Sequence, residues 1–213
     1  MGRPLVCARA VPRLFHKVVH LSLILASTSS IRAAMLDQAG VEYGVCAPLL
    51  DEEAIKAHHA GDDPELARAL AEAKALSIAA GSNQWVVGSD SVISVDGVRY
   101  SKPRDRAQAA AHLAAFSGRT MLLSSAVALA RAGQIDWNHT ESGRLEVRTL
   151  SPAFIHAYLD AEWPDVAYCV GVFRMEGCGV TLFDRVEGSH FTILGMPLIP
   201  LLGALRQRRM MPS

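Results

Sequence analysis

No sign of charge dominates this chain. Twenty-one lysines and arginines balance twenty-one aspartates and glutamates. No overall field therefore draws it to nucleic acid or to an anionic membrane, and any anion site has to be local. Long apolar runs are missing as well. The longest, residues 120–130 and 194–205, fall short of the ~20 residues a membrane helix needs, and Pro197 and Pro200 interrupt the second. The four cysteines, Cys7, Cys46, Cys169 and Cys178, form no CxxC pair and no zinc-like spacing with histidine. Idle thiols suit a reducing compartment, so a soluble cytoplasmic protein is expected, with neither nucleic acid nor membrane as a partner. His58-His59 and His112 read as surface residues rather than ligands.

Several catalytic signatures are also absent. Neither GxxxxGK(S/T) nor GxGxxG occurs, which leaves the common phosphate-loop folds unsupported. Without a GxSxG elbow, Ser27 and Ser29 lack the usual setting of a nucleophile. Acidic residues are missing from the first twenty positions, where Arg3, Arg9, Arg13 and Lys17 stand. Residues 1–20 are read as a disordered basic extension and left out of the fold; residues 21–213 form the expected domain, long enough for a sizeable core.

What is present begins at Leu23-Ile24-Leu25-Ala26-Ser27-Thr28-Ser29-Ser30-Ile31-Arg32. An apolar run stops at small hydroxyl residues and an arginine just before a helical pattern. A strand entering a helix amino terminus leaves backbone N–H groups unpaired at the positive end of the helix dipole, a setting that suits phosphate. The serines can cap the helix or donate to phosphate oxygens, and Arg32 adds a planar multi-donor cation.

The rest of the chain predicts a mixed sheet flanked by helices. Strands are expected at 21–26 and 41–46 around a helix at 32–39, then a loop holding Asp51-Glu52-Glu53. Asp63-Pro64 caps a helix running to Ala80, where Gly81 stops it. Trp85-Val86-Val87-Gly88 is a strand ending at Ser89-Asp90-Ser91, and residues 92–95 continue it to an Asp96-Gly97 hairpin turn. A helix at 105–116, two long antiparallel strands joined at Ala132-Gly133, a helix at 153–161 and a last helix at 198–206 follow. Glycines 171, 177 and 179 mark tight turns or backbone close to a ligand.

Open α/β sheets gather ligands at strand ends, and three polar groups are expected there: Ser27 to Arg32, Asp90 and Lys102. Asp90, emerging at the edge of an apolar core, suits base chemistry or a hard cation. Glu52 and Asp90 supply two carboxylates for a divalent metal, while Arg32, Lys74 and Lys102 supply three cations for phosphate. Together they are a parts list for phosphoryl chemistry on a nucleotide.

The order of these motifs is itself informative. Leu25-Ala26-Ser27-Thr28-Ser29 with Arg32, Asp51-Glu52, Lys74-Ala75, Gly88-Ser89-Asp90, Lys102-Pro103, Ser117-Gly118, and Glu176-Gly177 with Gly179 before Phe183 resemble the Maf family of nucleoside triphosphate pyrophosphatases. The resemblance spans the chain from Leu21 onward. Through Gly88-Ser89-Asp90 and the run from Glu176 to Phe183 it is most similar to the 7-methyl-GTP pyrophosphatase branch.

That resemblance implies an α/β fold of the Maf and ITPase type, with two lobes around a nucleotide cleft, often as a homodimer. It implies hydrolysis between the α- and β-phosphates with Mg²⁺ or Mn²⁺, with Asp90 accepting the proton of water and Ser27, Arg32, Glu52, Lys74 and Lys102 lining the site. Three positions tied to choice of base match Ile31, Ser91 and Glu176. Glu176 keeps the branch's acid, which can accept from the two adjacent donors of the guanine edge. Ile31 stands where tryptophan is usual and forgoes a cation–π attraction of ~0.5–2 kcal/mol. Ser91 replaces a longer amide, and Ala33 a second arginine. A second reading follows from these departures: a catalytically weak nucleotide-binding regulator, linked through the family name to septum formation and cell division.

Overall fold

The computed structural model describes residues 22–212; the basic extension and Leu21 lie outside them. The apolar run after Ser22 forms β1 (Leu23–Ala26), three of whose four residues are buried. It leads through α1 (Ser30–Gln38) to a short β2 (Gly44–Cys46). Next come α2 (Glu52–His58), α3 (Asp63–Leu76) and an eleven-residue strand, β3 (Trp85–Val95). Asp96 and Gly97, with φ of 51° and 79°, turn β3 back into β4 (Val98–Tyr100), as an Asp-Gly hairpin requires.

After α4 (Arg106–Phe116), a second hairpin joins β5 (Thr120–Arg131) to β6 (Gln134–Val147). The chain closes with α5 (Pro152–Glu162), two 3-10 turns, β7 (Phe183–Glu187), α6 (His190–Ile193) and α7 (Leu198–Gln207). The sheet runs β2-β1-β3-β5-β6-β7, with β4 also on β3. It is parallel where β1 meets β2 and β3 and antiparallel in every other pairing. This is the expected mixed sheet flanked by helices. No helix among the described residues is long and apolar enough to cross a membrane.

The period of two along β3 sorts its side chains between separate cores. Val87 packs with β1, α1 and α7 through Leu25, Met35 and Leu201. Ile93 and Val95, farther along the same face, pack with α4 and α5 through Phe116 and Leu159. Between those two cores the same face carries the buried hydroxyls of Ser89, Ser91's neighbour Ser125, and Ser91 itself, only half-buried. That polar band divides the expected two lobes. On the opposite face Val86 and Val92 pack under α3 against Leu66 and Leu70.

Gly88 brings α3 into position. A Cβ built there would lie 2.1 Å from the Ala71 carbonyl oxygen and 2.5 Å from the Ala75 nitrogen. The helix backbone therefore rests directly on the strand, with Lys74 in the same turn. Gly88→Ala is expected to cost about 1–3 kcal/mol of stability by overpacking, read as a lower urea midpoint at unchanged m-value; an unchanged midpoint would contradict the close packing.

Several elements differ from those the sequence pattern predicts. Residues 51–53 are no loop: the Asp51 side chain accepts from the Ala54 N–H at 3.0 Å and caps α2 at Glu52, so His58 is helical too. The next helix stops at Leu76 rather than Ala80, where the Ser77 hydroxyl turns back to the Lys74 carbonyl at 2.8 Å. Helix α1 starts at Ser30 rather than Arg32, and β2 starts at Gly44 rather than Val41. Most important, Asp90 does not end a strand: it sits in the middle of β3.

Candidate active site

A central carboxylate is reachable because β3 is only partly covered along one edge. Its other edge pairs with β5 from Trp85 to Val95 without a break. On the near edge β1 covers residues 85–88 and β4 covers residues 93–95. Residues 89–92, with Asp90 among them, face a window in the sheet. The chain leaves β1 at Ser27 on one side of that window and leaves β4 at Ser101 and Lys102 on the other. The two polar loops singled out in the sequence thus flank the aspartate, although it belongs to neither.

Helix α3 supplies the first cation. The Lys74 ammonium donates to Asp90 Oδ1 at 3.0 Å and lies 2.9 Å from Glu52 Oε1, so one charge bridges two carboxylates. The lysine side chain is 6% exposed and that of Asp90 12%, which removes most of the screening that weakens surface pairs. The second oxygen of each carboxylate takes no hydrogen bond among the described residues.

Helix α1 supplies the second cation. Arg32 stands with a terminal nitrogen 3.9 Å from Asp90 Oδ1; its Nε donates to the Gly195 carbonyl at 3.0 Å and its Nη2 to Ser91 Oγ at 3.3 Å. Burial pulls the guanidinium below its ordinary value, opposed first by Asp90 and then by Glu52. The Gly195 carbonyl also accepts from Ser89 and Ser91 at 3.1 and 3.2 Å. Ser91 Oγ lies 2.8 Å from Ser125 Oγ, and Ser125 donates to the Thr192 carbonyl. The hydroxyls of the polar band thus hold the arginine's orientation. Gly195, at φ 105°, turns its carbonyl toward them.

The loop before α1 is open to a ligand. Ser27 is buried and accepts the Ser29 N–H at 3.1 Å, while Ser29, in the N-cap position, makes no side-chain cap bond. The hydroxyls of Thr28 and Ser30 are on exposed residues. The first-turn N–H groups of α1 are therefore not consumed by side-chain caps. Ile31 and Ala33, the neighbours of Arg32, are half-buried.

Lys102 is exposed and makes no ion pair among the described residues. Its charge, with those of Glu176, Arg174 and Arg32, acts on Cys169, whose thiol burial and then Glu176 push up to about 11. That thiol stays protonated at neutral pH, so it is no nucleophile. Glu176 lies 3.6 Å from Arg174 Nε with its side chain 38% exposed. The structure thus joins Arg32, Glu52, Lys74, Asp90 and Ser91 by direct contacts, leaves Lys102 free, and ties Glu176 to Arg174.

The sequence pattern does not place two residues that the structure sets beside this site. Cys169 shares the field of Lys102, Arg32 and Glu176, a long-range meeting with no local signal. Lys56 lines a cavity of about 280 Å³ with Ser91, Val92, Tyr100, Ser101 and Val170. It lies four residues after Glu52, on the same face of α2, which would have been legible had that helix been expected.

A mixed α/β sheet with a window over a buried carboxylate, ringed by an arginine, a lysine and an uncapped helix amino terminus, defines an anion-handling protein. Residues 22–208 match the family model described as Maf-like protein, and the chain belongs to that family. It is 42% identical over 189 residues to the 7-methyl-GTP pyrophosphatase of Rhizobium meliloti (strain 1021), covering 87% of this chain and 95% of the relative. It is 44% identical over 198 residues to the nucleoside triphosphate pyrophosphatase of Sphingopyxis alaskensis, covering 91% of this chain and 100% of the relative. A third relative, the nucleoside triphosphate pyrophosphatase of Gluconobacter oxydans (strain 621H), is 39% identical over 197 residues, 90% of this chain and 97% of its own length.

Proposed function

We propose that this protein hydrolyses nucleoside triphosphates between the α- and β-phosphates, releasing a monophosphate and pyrophosphate, with 7-methyl-GTP as its preferred substrate. The observation that carries the reading is the bridged trio of Glu52, Lys74 and Asp90 beneath the window, with Arg32 beside it. Asp90 accepts a proton from water as that water attacks the α-phosphorus. The P–O bond to the bridging oxygen breaks, and pyrophosphate leaves with the electron pair. Arg32, Lys74 and Lys102 offset the negative charge that gathers on it, and the N–H groups at the start of α1 hold phosphate oxygens.

A divalent metal fits these residues in a restricted way. Among the described residues no group of three His, Cys, Asp or Glu side chains can hold an ion. Two hard carboxylates, each meeting Lys74 most closely through one oxygen, would suit Mg²⁺ or Mn²⁺ brought in with the triphosphate. Glu52 and Asp90 are the residues that would hold it, and when bound it would polarise phosphate oxygens.

The finer part of the reading rests on Glu176, whose carboxylate can accept from the two donors of the guanine edge, and on the name of the Rhizobium meliloti relative. Pyrophosphate release from 7-methyl-GTP, GTP, UTP and dTTP in the presence of Mg²⁺ tests it. The expected result is a kcat/KM for 7-methyl-GTP at least about tenfold above the others, the discrimination that 1.4 kcal/mol of differential contact gives. A uniform profile would remove the base-specific part, and no release from any of the four would remove the whole.

A further inference from the structure

Glu162, the last residue of α5, is a buried acid that the proposed chemistry does not use. Its side chain is 8% exposed. One oxygen accepts the Cys178 N–H at 2.8 Å, and the other, Oε2, is buried without a hydrogen-bond partner. Gly177 lies so close that a Cβ there would meet the two carboxylate oxygens at 2.8 and 3.0 Å. The loop carrying Glu176 is therefore laid directly on Glu162.

An amide could accept the Cys178 N–H equally well, and an apolar residue could fill the space without stranding an oxygen. The feature that neither reproduces is negative charge, and the cation facing it is Arg174, whose Nη1 stands 3.8 Å from Oε2. Arg174 is shared three ways: it pairs closely with Asp165 and stands at two longer, similar distances from Glu176, 3.6 Å from Nε, and Glu162, 3.8 Å from Nη1. Three acids share one guanidinium, so its charge is divided among them and none but Asp165 holds it tightly.

We infer that Glu162 is a positioning residue for base selection: with Asp165 it shares the charge of Arg174, so that Glu176 is paired only loosely and its carboxylate can still accept from a nucleotide base. This rests on the reading of Glu176 given above. Without the Glu162 charge, Arg174 closes on Glu176 and takes the lone pairs the base edge needs. Glu162→Gln keeps shape and the acceptor for Cys178, so it isolates the charge.

The quantity to measure is the ratio of kcat/KM for 7-methyl-GTP to that for UTP. Glu162→Gln is expected to lower it about tenfold or more through KM, with kcat on UTP within about threefold of wild type. Adding Arg174→Gln removes the intruding cation and is expected to restore the ratio to within about threefold, which a merely structural defect would not do. Asp165→Asn, at an exposed position and safe for folding, is expected to lower the ratio about threefold and covers the case in which Glu162→Gln does not fold. An unchanged ratio in Glu162→Gln, failure of Arg174→Gln to rescue it, or an unchanged ratio in Asp165→Asn would overturn the inference. Glu176→Gln separates the two levels: if it lowers the ratio while Glu162→Gln does not, only the positioning role is wrong; if it too leaves the ratio unchanged, the base-reading role of Glu176 falls as well.

Discussion

Replacing Asp90 with asparagine is expected to lower kcat for triphosphate hydrolysis by about 10²–10⁴, the usual contribution of a positioned general base, while the nucleotide still binds. Asparagine keeps the shape and one acceptor oxygen for Lys74, and Glu52 remains 2.9 Å from the ammonium, so the site keeps its architecture. What the variant loses is the capacity to take a proton, together with one of the two charges that would hold the metal, of which Glu52 keeps the other. Binding survives because Arg32, Lys74, Lys102 and the start of α1 still face the phosphates. Pyrophosphate release measured beside equilibrium binding of the same nucleotide separates the two effects. Normal turnover would transfer the base to another residue, whereas loss of binding with loss of turnover would leave Asp90 with its metal-holding role alone.

The local rules carried much of the fold in the sequence. Asp-Gly between β3 and β4 and Ser-Pro at the start of α5 are short-range signals, because each satisfies backbone groups within a few residues; at α3 the expected cap shifts by one residue, to Asp62, while the Asp63 carboxylate pairs with Arg99. The capping box of Asp62 and Glu65 belongs with them. Asp90 was placed wrongly for an equally physical reason. Ser89-Asp90-Ser91 reads as a polar stop, yet the strand continues because partners far along the chain accept its polar side chains. Ser89 bonds to the carbonyls of Ala126 and Gly195, Ser91 to Ser125 and Gly195, and Asp90 to Lys74. No local pattern announces such pairings. The same holds for Glu162, which meets Arg174 and Cys178 only after the 3-10 turn at Asp165–Tyr168 and the loop that follows it fold the chain back. The residues that carry the proposed chemistry were visible because their types are informative; the window that exposes them depends on β1 and β4 sharing one edge of β3, which is topology rather than pattern.

Lys74→Met is expected to be the most damaging change to stability. The side chain keeps its length and apolar stem, so packing against β3 is nearly preserved, but Asp90 and Glu52 are left close together without the cation between them. Breaking a buried pair by removing one partner costs about 3–5 kcal/mol; Glu52 is 30% exposed and can hydrate, which places the burden on Asp90 and favours the lower part of that range. Arg32, at 3.9 Å, offsets some of it but is itself committed to Gly195 and Ser91. Turnover is expected to fall about 10²–10³ as charge stabilisation of the leaving pyrophosphate is lost. Two effects compete here, the stranded carboxylate and the gain from burying a thioether, and a double-mutant cycle decides between them. If the stranded charge dominates, Lys74→Met costs markedly less in the Asp90→Asn background than in the wild type, a coupling of about 1–3 kcal/mol in urea unfolding. Additive losses would mean that the lysine stabilises α3 on the sheet independently of the aspartate, and the bridge would then be a consequence of the packing at Gly88 rather than the reason the sequence keeps a charge there.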